Sequence, residues 1–112
     1  MNQSSMSSMN AAIERLRDRF MTEYRERHAE LISLGLQIGV SGDDRETLDR
    51  AKANLHRTAG TAGTLGLERL GREASRAEER IAHMLKSEEI DPEQAIRVLV
   101  QFLDISESFV KH

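Results

Sequence analysis

The chain has no cysteine and no tryptophan, and only one proline, one tyrosine and three phenylalanines in 112 residues. Without cysteine there is no disulfide framework, no thiolate metal site and no thiol nucleophile. A single proline and few β-branched runs leave little material for a sandwich or a barrel. No apolar run reaches the roughly 18 residues that a membrane-spanning helix requires. The opening stretch, MNQSSMSSMN, is polar and lacks the hydrophobic core of a signal peptide. An excess of positive charge is missing as well. Lys and Arg number 16 against 19 Asp and Glu, a formal charge of −3 at pH 7. That balance argues against nucleic acid or an anionic membrane as a partner held by bulk charge. What remains is a charged chain (31% Asp, Glu, Lys and Arg) of about one domain's length. These features predict a cytoplasmic, all-helical single domain.

Residues 1–9 are Ser-rich and without periodicity, and read as a flexible tail. From about Asn10 to Ile38, Ile13, Leu16, Phe20, Tyr24, Leu31, Leu34 and Ile38 fall at steps of three, four or seven. That spacing places them on one face of a long helix, with Gly39 suited to a left-handed cap at its end. Ser41-Gly42-Asp43-Asp44 is a break, and Asp43 with Glu46 resembles a capping box. A second helix then carries Leu48, Ala51, Leu55, Ala59, Ala62 and Leu65, and Gly66 closes it. A third carries Leu67, Leu70, Ala74, Ala77, Ile81 and Leu85. Asp91-Pro92-Glu93-Gln94 is the clearest start signal, because Asp91 can cap and Pro92 suits the first helical position. The fourth helix has Ile96, Leu99, Leu103, Ser106 and Val110 in its stripe. Four amphipathic helices on short loops can bury their stripes only against one another. An up-down antiparallel four-helix bundle over residues 10–112 is the expected fold.

The second helix contains one segment that is poor helix material. It runs Leu55-His56-Arg57-Thr58-Ala59-Gly60-Thr61-Ala62-Gly63-Thr64-Leu65-Gly66. A glycine inside a helix costs about 0.5–1 kcal/mol relative to alanine, and here there are two. Positions 49, 52, 53, 56, 60, 63 and 64 share a face displaced from the apolar stripe, so His56 is expected to project into solvent. Around it stand Ala53, Gly60 and Gly63, with little or no side chain. Lys52 lies one turn before it and Arg57 next to it. An exposed imidazole on a cleared helix face is a surface that another protein can approach closely. The competing reading is a surface histidine without a role and glycines that serve helix packing. Spacing alone leaves both open.

The run from Leu55 to Leu70 resembles the histidine phosphotransfer (HPt) domain of multistep phosphorelays. His56, Gly60, Ala62, Gly66 and Leu70 match the family's pattern, and Leu55 and Leu67 suit it. Ala59 departs from that pattern, since many members carry Lys there, and Lys52 and Arg57 are the neighbouring cations. The resemblance implies an HPt-like bundle that carries a phosphoryl group on His56. Its partner would be the receiver domain of a response regulator or of a hybrid sensor histidine kinase. It further implies docking on Lys52, Ala53, Arg57, Ala59, Gly60, Gly63 and Thr64. The divalent cation, Mg2+, would belong to the receiver, so the chain would need no cofactor or metal of its own. A phosphocarrier of this kind has no autonomous kinase site, and a monomer is expected. The alternative is a non-phosphorylated, HPt-like helical adaptor. His28 lies among Arg25, Glu26, Arg27 and Glu30 and is expected on a solvated face. His83 and His112 have no motif around them.

Overall fold

In the computed structural model of the protein, which describes residues 2–40 and 42–110 (side chains from Ser7 onward), four helices follow one another. They are α1 (Asn2–Gln37), α2 (Asp44–Thr64), α3 (Glu68–Leu85) and α4 (Pro92–Val110). Ser41, in the predicted break, and His112 lie outside the described residues. Each helix packs on its neighbours in chain order and α4 returns to α1, which makes the up-down bundle expected from the four stripes.

The ends of the helices are set by local chemistry. The Asp43 carboxylate accepts from the Glu46 amide at 3.0 Å and so caps α2. Asp91 accepts from the Glu93 and Gln94 amides at 3.1 and 3.4 Å and caps α4. Helix α1 runs into Gly39 at φ 82°, and α2 into Gly66 at φ 78°, a region that an L side chain rarely enters. Past Thr64, the Leu67 amide reaches back to the Ala62 carbonyl at 2.9 Å, which closes the last turn. Arg45, from the first turn of α2, donates to the carbonyls of Leu85 and Ser87, both at 2.7 Å, and to that of Glu88 at 3.1 Å. This guanidinium satisfies carbonyls left open where α3 ends, and ties that end to the start of α2.

The core follows the predicted stripes of α2 and α3 and most of that of α1. In α4 it is shifted to Ala95, Val98 and Phe102 beside Leu99, and Ile96, placed in the stripe, is 37% exposed. Phe20, Tyr24, Leu31, Leu34 and Ile38 of α1 meet Leu48, Ala51, Leu55 and Ala62 of α2. Leu70, Ala74, Ala77, Ile81 and Met84 of α3 and Ala95, Val98, Leu99 and Phe102 of α4 complete it. Gly71 lies buried where α3 packs on α2. A Cβ there would meet the Ala59 carbonyl oxygen at 3.4 Å and the Gly63 amide nitrogen at 3.5 Å.

Three further expectations change. Residues 2–9, read as tail, continue α1 without a break. The reason is that extending an existing helix adds a hydrogen bond per residue, and no Gly or Pro stands in the way. Ile13 and Leu16, assigned to the core stripe, are 42% and 55% exposed. Leu16 is level with Leu65 at the end of α2, so the stripe upstream of it has no helix opposite. His28 is partly buried between α1 and α4 and does not lie on a solvated face.

Candidate functional site

His56 sits in the middle of α2, with 77% of its side chain exposed. The predicted projection into solvent therefore holds, because the buried residues of α2 (Ala51, Asn54, Leu55, Thr58 and Ala62) occupy the opposite face. Its ring is not free, however. Nδ1 lies 2.9 Å from Oε2 of Glu78, which comes across from α3. A carboxylate accepts only, so the Nδ1 proton donates to it and Nε2 keeps its lone pair, directed outward. The contact fixes both tautomer and ring orientation.

The glycines around His56 have no packing partner. A Cβ built on Gly60 or Gly63 would find nothing within 4 Å. Gly71 is the glycine that serves helix packing, and it lies on α3. Gly60 and Gly63 instead lower the surface beside the imidazole. Thr64 keeps that surface flat, because its hydroxyl folds back to donate to the Gly60 carbonyl at 3.0 Å.

Two flanks can be distinguished. On the α1 side an open groove of about 590 Å³ runs beside His56, Gly60 and Thr64, with Leu16 and Phe20 as its apolar wall and Arg19 and Arg57 at its edge. Arg57 also faces Glu23, Glu26 and Glu30 of α1. On the α3 side Ala59 is half-buried and packs on the core, and a shallow depression runs over it toward Gly63 and Gly71. Lys52 is half-buried and Ala53 exposed, a turn before His56. The predicted site residues thus share one outward region of α2, with Ala59 turned farthest from the α1 groove.

A family model described as the Hpt domain matches residues 15–107. The chain belongs to the Hpt domain family. No curated protein and no solved structure matches it. Hpt domains serve histidine phosphotransfer in phosphorelays and interact with receiver domains of two-component systems. Among the described residues, no helix of this Hpt domain is long and apolar enough to cross a membrane.

Reading the sequence missed two parts of the site. Glu78 lies 22 positions downstream on another helix, and no local spacing connects it to His56. The fold alone brings this carboxylate into contact. Leu16, expected in the core, is an exposed wall of the groove, whereas Phe20 is in the core as expected and also borders the groove. An apolar stripe on α1 that outruns the stripe of α2 was the available signal.

A second polar cluster closes the seam between α1 and α4. The Tyr24 hydroxyl donates to the Ser106 carbonyl at 2.9 Å and also touches the Ser106 hydroxyl. His28 Nδ1 lies 2.8 Å from that same hydroxyl. Tyr24 and Ser106 are 1% and 0% exposed. Burial pushes the Tyr24 pKa up to about 12, against a smaller opposite effect of the Ser106 hydrogen bond. Burial also lowers that of His28, partly offset by the charge of Glu107. Tyr24 and Ser106 are closed to a partner, His28 is partly buried, and the cluster ties α1 to α4.

Proposed function

We propose that this Hpt domain carries a phosphoryl group on Nε2 of His56, exchanged with the phosphorylated aspartate of a receiver domain. The observation that carries the reading is the His56–Glu78 contact on a surface cleared by Gly60 and Gly63. In the neutral ring Nε2 is the nitrogen left with a lone pair, and 77% of the side chain is exposed.

In the transfer, the Nε2–P bond forms as the bond from phosphorus to the aspartyl oxygen breaks, and the aspartate leaves as a carboxylate. The ring gains positive charge, which the Glu78 carboxylate stabilises through the Nδ1 proton. Return of the phosphoryl group to a second receiver reverses each change, so no net proton transfer is required. In-line geometry demands close approach of the two proteins, and a flat glycine surface permits it. The proposal leaves Mg2+ on the receiver.

Docking would use Lys52, Ala53, Arg57, Gly60, Gly63 and Thr64, together with the Leu16 and Phe20 groove. Ala59 lies at the margin of that surface. A carrier must release its partner after transfer, so the interface should be small, below about 1,200 Å² in total. The decisive experiment incubates the protein and its His56→Gln variant with a panel of phosphorylated receiver domains. An acid-labile phosphoryl group on the wild type and none on the variant supports the reading. A folded wild type that takes no label from its own receiver, while still binding it, would make the domain an adaptor. Gly60→Leu should slow transfer by obstructing the approach while the helical signal is kept, and unchanged transfer would remove this account of the glycine.

A further inference from the structure

Helices α3 and α4 enclose an open groove of about 640 Å³ on the other side of α3 from the His56–Glu78 contact. Its floor is apolar, formed by Met84 and Val98, which are 6% and 7% exposed. At the end toward His83 and Arg97 its walls carry Arg76, Arg80 and Arg97 against the carboxylate of Glu79. Past Arg76 and Arg80 the seam continues to Glu73 and Asp104, so the cationic excess is confined to the Arg80, His83 and Arg97 end.

The cations are not consumed by the fold. Among the described residues Arg97 makes no hydrogen bond or ion pair, and Arg80 donates only to the neutral amide oxygen of Gln101, at 3.0 Å. Arg76 reaches Glu73 at 3.8 Å, a long and exposed pair. The arrangement does not suit a small anion, which needs its donors to converge on one point. Arg76, Arg80 and His83 instead follow one another at steps of four and three along α3, each about one helical turn apart. Carboxylates spaced by one turn on a second helix would match that ladder. An apolar residue between them would rest on Met84 and Val98.

We propose that the α3–α4 groove is a second docking surface, for an acidic amphipathic helix of a partner protein. It includes neither His56 nor Glu78, although Arg76 and Glu79 also border the depression over Ala59 and Gly63, so a partner held at its Arg80, His83 and Arg97 end leaves His56 accessible. The proposal stands on charge and spacing and does not depend on phosphorylation of His56.

The test uses a fluorescent, end-blocked helical peptide of about 18 residues, with a Leu stripe flanked by Glu at i and i+4. Fluorescence anisotropy should show binding at low ionic strength, weakening roughly tenfold or more as salt is raised well above physiological strength. The Arg80→Gln, Arg97→Gln double variant should lose about tenfold in affinity, with unchanged circular dichroism. His56→Gln should bind as wild type does. Amide NMR shifts on titration should centre on Arg76, Arg80, His83 and Arg97. Absence of binding at low salt overturns the proposal, as does equal binding of a peptide with Gln in place of Glu. Shifts centred on Lys52 and Arg57 would overturn it too. Failure of phosphotransfer to His56 leaves this result untouched, so the two readings fall separately.

Discussion

His28 and His56 each meet one oxygen partner through Nδ1, at nearly equal distance, yet their surroundings give them opposite roles. The partner of His56 is an anion, Glu78, at 2.9 Å, and the ring stands mostly in solvent. The partner of His28 is the hydroxyl of Ser106, at 2.8 Å, inside the α1–α4 seam with Tyr24. A carboxylate holds the Nδ1 proton and leaves Nε2 as the nitrogen that the proposed transfer would use. A buried hydroxyl can donate to Nδ1 or accept from it, so it does not select one tautomer, and burial opposes protonation of that ring. The type of residue is therefore a poor guide to its chemistry. Exposure and the charge of the partner separate the imidazole proposed to carry the phosphoryl group from the one that ties α1 to α4.

The largest expected effect breaks this comparison at His56. His56→Gln should abolish acid-labile phosphorylation, while stability stays within about 0.5 kcal/mol, as for an exposed surface position. A shift of several kcal/mol in urea unfolding would instead make His56 a structural residue. Next comes its partner. Glu78→Ala removes a charge-assisted hydrogen bond, nominally worth about 1.5–3 kcal/mol and less where solvent screens it. Transfer should slow by roughly tenfold, and Glu78→Gln, which can still accept from Nδ1, should recover part of that loss. Nitrogen NMR of the ring checks the cause: the Ala variant should show a mixture of tautomers where the wild type shows one. An unchanged rate and unchanged tautomer would remove Glu78 from the mechanism.

On the His28 side the effects are expected in stability alone. Tyr24→Phe should destabilise by about 1–2 kcal/mol through the lost buried hydrogen bond, seen as a thermal midpoint lower by several degrees. Phosphoryl transfer per folded molecule should be unaltered. The smallest effect is on pH dependence. The folded-state pKa of His28 is lowered, so its contribution is present above the unfolded value of about 6.5 and is lost as pH falls through the folded value. Urea midpoints of the wild type should decline in that acid range more steeply than those of His28→Gln. Tyr24 works in the other direction. Its pKa is raised from 10.0 to about 12, so its contribution is complete below 10.0 and lost as pH rises through that window. Equal slopes for wild type and His28→Gln at acid pH would mean that the α1–α4 cluster does not sense protons.

Much of the bundle was legible because its signals are local. The stripe of α2, the Asp43 and Asp91 caps and the left-handed Gly39 and Gly66 all depend on residues within a turn or two of one another. The exposure of His56 followed from the same periodicity, since it lies off the stripe of Leu48, Ala51 and Leu55. The start of α1 was less legible, because residues 2–9 carry no apolar period, and a helix continues there by propagation from a nucleus already formed. The part of α1 that would be covered was not legible either. Burial of Phe20 but exposure of Ile13 and Leu16 depends on where α2 stops, not on α1 itself.

The amino-acid sequence by itself determined four amphipathic helices, their caps, and an imidazole beside two glycines on the uncovered face of the second. Those features arise from backbone geometry and spacing within single elements. Only the tertiary structure decided which histidine meets an anion and which meets a hydroxyl. It also decided that Gly71 packs helices together whereas Gly60 and Gly63 face open space. The pairs concerned are 22 and 78 positions apart. No helical period relates residues at such distances, and their meeting is set by the register in which the four helices bury their stripes.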